Sequence, residues 1–313
     1  MKQTVICSYV DPDLDGVACS VGMEELFRAR GVDAAAVVIG TPSQEAAWVC
    51  ERFRIPVPPE GSSRLVDSDV VLVDASDPDD LAASFPIESV VEIIDHRQVH
   101  KAGDFPNASR VQIELVGSCA TLVAERLREN KIAPSMGAAR LLAGAIISNT
   151  IDFRSPGTTD RDRAAFEWLA PFASLPDNFA REMFLAKSDL SGDKLRQALE
   201  GDWAEKEFCG TRIGIFQLEA ANVEAVVRTR KQEILDVMGA CAKEKEFDVT
   251  FLNAIDILKG TDTWLALDAA TVALLEAAFG RAFVDDVSTI DAIVMRKRVT
   301  LRLKEYLEGL RGD

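Results

Sequence analysis

The sequence has no run of apolar residues long enough to cross a bilayer, which excludes a transmembrane helix. Its N-terminus, Met1 to Tyr9, is basic and then apolar. The apolar part is short, has no small-residue cleavage site and runs straight into a group of aspartates, so it reads as a first strand and not as a signal peptide. No two of the six cysteines (Cys7, Cys19, Cys50, Cys119, Cys209, Cys241) stand in a Cys-x-x-Cys pair. Four of them lie in apolar or helical surroundings, the pattern of reduced, buried thiols in a cytoplasmic protein. Positive charge is also short: 35 Lys and Arg face 51 Asp and Glu, a formal net charge of −16. That balance disfavours nucleic acid and acidic membrane as partners. It leaves a small anionic substrate open, because a bound metal reverses the sign of a site locally. There is no internal repeat and no low-complexity segment.

What is present is an ordinary globular balance, 48% hydrophobic and 27% charged residues. A chain of 313 residues suits one large domain or two of ordinary size. In the first part, strand-like and helix-like segments alternate. Strands are predicted at Gln3 to Tyr9, Ala34 to Gly40, Asp69 to Val73, Ser89 to Ile94 and Arg110 to Val116. Helices are predicted at Gly16 to Arg30, Ser43 to Phe53 and Asp77 to Ser84, with three or four more between Ser118 and Lys187. This is an α/β pattern with a parallel sheet covered on both faces. The polar stretch Ser188 to Asp193 marks a domain boundary, giving domains over 1–188 and 194–313. The second domain is a smaller α/β unit. Its strands are placed at Arg212 to Leu218, Phe247 to Asp256, Thr263 to Leu267 and Ala292 to Met295. Its helices are placed at Val223 to Lys243 (N-capped by Asn222), at Ala270 to Phe279 and after the last strand.

Chemistry concentrates at strand ends. Asp11-Pro12-Asp13-Leu14-Asp15-Gly16 sets three carboxylates at alternate positions after the first strand. So close together, each raises the pKa of its neighbours, and a hard divalent cation would relieve that cost. Taken alone, the motif reads equally as a solvated turn with an aspartate N-cap. It is not an EF-hand, since no glutamate closes a twelve-residue loop. Asp74 follows Val-Val-Leu-Val, and Asp95-His96-Arg97 follows Val-Val-Glu-Ile-Ile. The carboxyl ends of parallel strands line one crevice, so Asp13, Asp15, Asp74, Asp95 and His96 are expected to converge. Individually, Asp74 could be a helix cap and His96 a structural hydrogen-bond donor. Of the two histidines, His96 is the candidate ligand and His100 reads as exposed. Gly117-Ser118-Cys119-Ala120-Thr121 opens a helix whose free N–H groups suit a phosphate oxygen, with Ser118 as an ordinary N-cap the equal alternative.

Together these residues resemble the DHH phosphoesterase superfamily, closest to manganese-dependent family II inorganic pyrophosphatases and the related exopolyphosphatases and prune-type proteins. The resemblance covers nearly the whole chain. Asp11 to Asp15 resembles the first motif, Leu72-Val73-Asp74 the second, Ile93 to Arg97 the third and Gly117 to Thr121 the fourth. Ala145 to Thr150 resembles the segment that supplies a late aspartate ligand. In the second domain, Lys206 with Phe208 resembles a Lys-x-Phe element, and Arg296-Lys297 a substrate-binding pair. The Gly-Gly-Gly-His signature of the oligonucleotide phosphodiesterase branch is absent.

The resemblance implies an active site in the cleft between the domains. It implies one or two ions of Mn²⁺ (or Mg²⁺ or Co²⁺) that activate a water for in-line attack on pyrophosphate, short polyphosphate or a related small phosphoanhydride. It assigns Asp13, Asp15, Asp74 and His96 as metal ligands, with Asp74 bridging. Arg97, Ser118, Lys206, Arg296 and Lys297 would hold substrate. Asp15, Asp74, His96 and Arg97 would form the catalytic set. Family relatives include dimers, so a homodimer is one implied assembly. A phosphodiesterase of nucleotides or short oligonucleotides, or a binding protein without turnover, are the alternatives. The chain departs from the family at three positions. Tyr9 stands where a histidine ligand is expected, Arg97 where the signature has its second histidine, and Asn149 where an aspartate ligand is expected. Asp11 is the candidate to replace the lost histidine.

Overall fold

The computed structural model describes residues 2–309 and divides into two compact units, Met1–Ala186 and Lys187–Asp313. The first unit carries strands β1 (Thr4–Cys7), β2 (Ala34–Ala36), β3 (Asp69–Val73), β4 (Val90–Asp95) and β5 (Arg110–Ile113). They form one sheet in the order β2-β1-β3-β4-β5, every pairing parallel. β1 is buried at every position, as a strand covered on both faces must be.

Helices α1 (Leu14–Ala29), α2 (Gln44–Phe53), α3 (Cys119–Glu129), α4 (Met136–Asn149), α5 (Asp160–Ala173) and α6 (Phe179–Lys187) complete this unit. α1 packs against α3, α4 and the sheet. The other face is covered differently. Val5, Cys7, Val70, Leu72, Val90 and Ile93 pack there against Leu65, Leu81, Phe85 and Phe105, all from irregular segments. The helix predicted at Asp77 to Ser84 is accordingly only a short 3₁₀ turn, Pro78–Asp80. Its cap, Asp77, accepts the Asp79 N–H, and Lys101 pairs with both aspartates, holding a tight turn instead of a helix. The second strand also stops early, at Ala36. After it come single parallel bridges, Val38 to Glu60 and Val10 to Ile39.

The second unit begins with α7 (Lys194–Gly201), followed by β6 (Trp203–Phe208), β7 (Thr211–Ala220), α8 (Val223–Thr229), α9 (Lys231–Lys245), β8 (Val249–Asp256), β9 (Thr261–Ala266), α10 (Ala269–Phe279), β10 (Val287–Ile290) and α11 (Arg296–Gly309). Its sheet, β10-β9-β8-β7-β6, is mixed, with β7 and β8 parallel and the other neighbours antiparallel. Alternate residues feed two cores. Phe216, Leu218, Leu252 and Leu265 meet α7, α8 and α9. Ile213, Ile215, Phe251 and Trp264 meet α10 and α11.

Three expectations for this unit are corrected. The single helix over Val223 to Lys243 is two helices, broken at Arg230. The Arg230 guanidinium bonds the carbonyls of Leu190 and Gly192 and the carboxylate of Glu233. Asn222 is left-handed (φ 58°) and makes no side-chain cap. The last strand lies at Val287–Ile290 and not at 292–295, where side chains replace the ladder: Asn253 Nδ2 donates to Val294 O and Arg296 N to Gln217 Oε1. The first strand, β6, has a polar, half-exposed sequence and gave no apolar signal.

Candidate metal centre

Three strand ends and the starts of two helices build the centre. After β1, the chain reaches Asp13, which caps α1: its Oδ1 accepts Asp15 N at 2.8 Å and Gly16 N at 3.1 Å. That places Asp15 in the first turn, buried, with its carboxylate beside the start of α3. There Cys119 N and Ala120 N donate to it at 2.8 Å each, and Ser118 Oγ reaches both oxygens at 3.0 Å. Asn149 Nδ2, at the end of α4, adds a contact of 2.6 Å. The positive end of α3 therefore receives the protein's own carboxylate. Ser118 is fully buried, caps α3 through Ala120 N and bonds Asp15.

Asp74 follows β3 in a left-handed conformation (φ 56°), a position that costs an aspartate of order 1 kcal/mol and is found at sites that hold a side chain in place. Its N–H donates to Ile94 O at 2.8 Å, and its carbonyl accepts Arg97 Nη2 at 3.2 Å. His96, after β4, is fixed by a 2.9 Å hydrogen bond between Nδ1 and Val116 O. A carbonyl only accepts, so Nδ1 carries the proton and Nε2 is the atom left to face the carboxylates. Nε2 lies 3.4 Å from Asp74 Oδ1 and 4.0 Å from Asp15 Oδ2.

Among the described residues, Asp15, Asp74 and His96 offer one ligand atom each, all within 4.8 Å of one another. Burial raises the pKa of Asp15, with Asp13 adding to it and His96 and the α3 amides opposing. Burial and then Asp15 push Asp74 well above the usual carboxylate range. Burial alone would lower His96, but Asp74 and Asp15 outweigh it and hold the imidazolium up to about 11. Two buried carboxylates and an imidazole thus share one small site, with the imidazolium offsetting part of their charge. A divalent cation would satisfy the same charges, and this oxygen-and-nitrogen donor set fits a Mn²⁺-class ion.

The other expected residues are placed as follows. Asp13 lies near enough to raise the pKa of both Asp15 and Asp74. Asp95 is fully buried and points away, bonding Ser76 Oγ and His96 N. Asp11 is exposed, and its Oδ1 accepts Thr41 N at 2.7 Å, outside the cluster. Tyr9 lies against the sheet core, and its hydroxyl accepts Asp13 N at 3.3 Å. Burial, then Asp13 and Asp74, raise the pKa of that phenol. Arg97 pairs with Asp80 and Asp95 and sits 5.7 Å from the Tyr9 ring centre. His100 is exposed.

In the second unit, Lys206 is exposed on β6, opposite Ile213 and hence on the sheet face that carries α11. Arg296, at the first turn of α11, binds Asp202 Oδ1 at 2.5 Å, and Lys297 beside it is exposed. The clasp beneath α3 was not foreseen. Asp162, fully buried in the first turn of α5, accepts Gly117 N, Thr121 Oγ1, Thr159 N and Thr159 Oγ1. The Thr159-to-Asp162 spacing of a capping box was its visible signal. A Cβ on Gly117 would lie 2.7 Å from Thr150 Cγ2 and 2.9 Å from Asp162 Oδ2, so only glycine fits there.

A curated protein of Deinococcus radiodurans named "Probable manganese-dependent inorganic pyrophosphatase" is 30% identical over 311 residues, 96% of this chain and 98% of its own length. The chain belongs to the manganese-dependent inorganic pyrophosphatase family. The "Manganese-dependent inorganic pyrophosphatase" of Methanothrix thermoacetophila is 29% identical over 298 residues, 94% of each chain. Residues 181–304 match the model of the DHHA2 domain. The fold is that of the solved structure named "Crystal structure of Methanococcus jannaschii putative family II inorganic pyrophosphatase". That structure aligns over 98% of this chain and 100% of its own with a TM-score of 0.73 at 24% identity. The two-domain α/β architecture, a parallel sheet followed by a second sheet unit, is therefore the architecture of this pyrophosphatase family.

Proposed function

We propose that this protein is a manganese-dependent hydrolase of inorganic pyrophosphate, with short polyphosphates as related substrates. The observation that carries the reading is the convergence of Asp15, Asp74 and His96 at the strand ends of a chain that matches its pyrophosphatase relatives end to end. Asp15, Asp74 and His96 would hold a divalent ion, which when bound would supply charge neutralisation and water activation for attack on phosphorus. The residues of the chain do the rest. The start of α3 and Asn149 fix Asp15, the backbone after β3 presents Asp74, and Val116 O holds the His96 tautomer that leaves Nε2 available. Phosphoryl transfer needs mainly positioning and charge neutralisation. Lys206, Arg296 and Lys297 are the proposed cations for the phosphate oxygens. The Arg97 guanidinium bonds Asp80 and the Asp74 carbonyl and pairs with Asp95, so in this reading it supports the backbone around Asp74 as well as offering charge to substrate. Among the described residues, no helix is long and apolar enough to cross a membrane.

The test is a substrate panel on purified protein with Mn²⁺, Mg²⁺ or Co²⁺: pyrophosphate, tripolyphosphate, cyclic nucleotides and dinucleotides. Phosphate release from pyrophosphate that depends on Mn²⁺ supports the proposal. Turnover of nucleotides alone overturns it in favour of a phosphodiesterase. Binding of pyrophosphate with no turnover of any substrate overturns it in favour of a binding protein.

A further inference from the structure

The donor set that fits one ion does not fit a second. From this we infer that the site takes a single divalent cation, and that the Tyr9–Arg97 pair is built into the place and charge balance a second ion would need. The inference rests on the metal-dependent reading above and specifies its stoichiometry.

Four observations carry it. First, among the described residues the convergent ligand atoms come from Asp15, Asp74 and His96 alone. Second, the nearest further carboxylate, Asp13, already gives Oδ1 to two backbone N–H groups as the cap of α1. Beside it is Tyr9, which packs against the sheet core and whose hydroxyl accepts Asp13 N at 3.3 Å. A protonated phenol is a poor donor to a hard cation. Third, Asp11 and Asn149 bring no added charge. Asp11 is turned outward to Thr41 N, and Asn149 is a neutral amide bonded to Asp15. Fourth, a cation is already present. The Arg97 guanidinium lies beside the Tyr9 ring and bonds the Asp74 carbonyl, with Asp95 3.7 Å from its Nε. Arg97 is shared by Asp80 and Asp95, and Asp13, Asp15 and Asp74 carry the negative charge a metal would meet. One divalent ion with a neutral His96 takes up most of that charge and leaves a single negative charge over. A second would overshoot to a net positive charge beside a fixed guanidinium, so it would gain far less from the site than the first.

Manganese uptake by the metal-free full-length protein tests this, read by equilibrium metal analysis and by electron paramagnetic resonance. The expected result is one tight equivalent per chain, with the hyperfine-split signal of an isolated ion. Two tight equivalents with an exchange-coupled spectrum would overturn the single-ion inference while leaving the hydrolase reading intact. One equivalent bound without any pyrophosphate turnover would leave the stoichiometry standing and sink the hydrolase reading. No uptake at all overturns both. A Tyr9→His/Arg97→His/Asn149→Asp variant, checked for folding by circular dichroism, is expected to take up a second equivalent. If it folds and still binds one, these three residues are not the reason for the stoichiometry.

Discussion

Replacing Asp162 with alanine should destabilise the first unit by about 3–5 kcal/mol, although the residue touches none of the three candidate ligands. Its carboxylate is fully buried and accepts from Gly117 N at 2.9 Å, Thr121 Oγ1 at 2.6 Å, Thr159 N at 2.7 Å and Thr159 Oγ1 at 2.8 Å. A hydrogen bond to a charged acceptor is worth roughly 1.5–3 kcal/mol, and a buried donor left without a partner costs roughly 1–3 kcal/mol. The two Thr159 donors are half-buried and can turn to water. Thr121 Oγ1 is fully buried and has no such recourse, Gly117 N is only partly exposed, and the carboxylate's own desolvation cost is regained on removal. The sum falls in the stated range, a large fraction of a domain stability of about 5–15 kcal/mol. Urea unfolding followed by hydrogen exchange of peptides from 1–186 measures it separately from the second unit. Asp160→Ala, an exposed substitution at the start of the same helix, is the control and should cost less than about 1 kcal/mol. Because Gly117 precedes the α3 turn that grips Asp15, manganese affinity should fall as well. A loss below about 1 kcal/mol for Asp162→Ala would refute the reasoning.

Metal uptake should be proton-linked. Metal-free His96 titrates at about 11, so a cation must displace its proton, and affinity should rise about tenfold per pH unit between pH 6 and 9, with proton release visible by calorimetry in buffers of different ionisation enthalpy. A flat affinity profile would contradict a protonated His96 in the metal-free site. Tyr9→Phe should leave manganese affinity and stoichiometry unchanged and cost no more than about 1 kcal/mol, the value of its hydrogen bond to Asp13 N; a loss of bound metal would make Tyr9 a ligand after all. In the second unit, burial raises the Asp262 carboxyl from 3.8 to about 7, with Arg281 offsetting part of it. A folded-state pKa above the unfolded one means the folded unit holds the proton more tightly. Stability should therefore fall as pH rises from about 4 to 7, by at most roughly 4 kcal/mol at about 1.4 kcal/mol per pH unit, and Asp262→Asn should flatten that dependence in thermal unfolding.

Much of the first unit is legible because parallel strands are buried on both faces and read as apolar runs. The segment at Asp69 to Val73 coincides with β3, and those at Gln3 to Tyr9 and Ser89 to Ile94 contain or overlap β1 and β4. The strands that escape notice or shift are those on which tertiary context decides. β6 lies at a sheet edge and is polar, so it has no pattern to find. Ala292 to Met295 is apolar, yet Asn253 and Gln217 take its backbone groups and leave the strand position to Val287–Ile290. The site shows the same division. Strand-end position points to Asp13, Asp15, Asp74, Asp95 and His96; the structure groups the ligand atoms of Asp15, Asp74 and His96, while Asp13 caps α1 and Asp95 bonds Ser76. Spacing does not reveal that the α3 amides are aimed at Asp15, since that contact spans 104 positions in sequence. Nor does it reveal that Asp11 turns outward, a consequence of its left-handed backbone (φ 55°) and its bond to Thr41 N.

The most direct test is the initial rate of phosphate release from pyrophosphate, compared between the Mn²⁺-loaded protein and its Asp74→Asn variant. Release by the unaltered protein should require Mn²⁺, stop when the ion is chelated, and fall at least about a hundredfold in the variant. Equal rates in the two proteins, or release that persists after chelation, would contradict a metal site built on Asp15, Asp74 and His96.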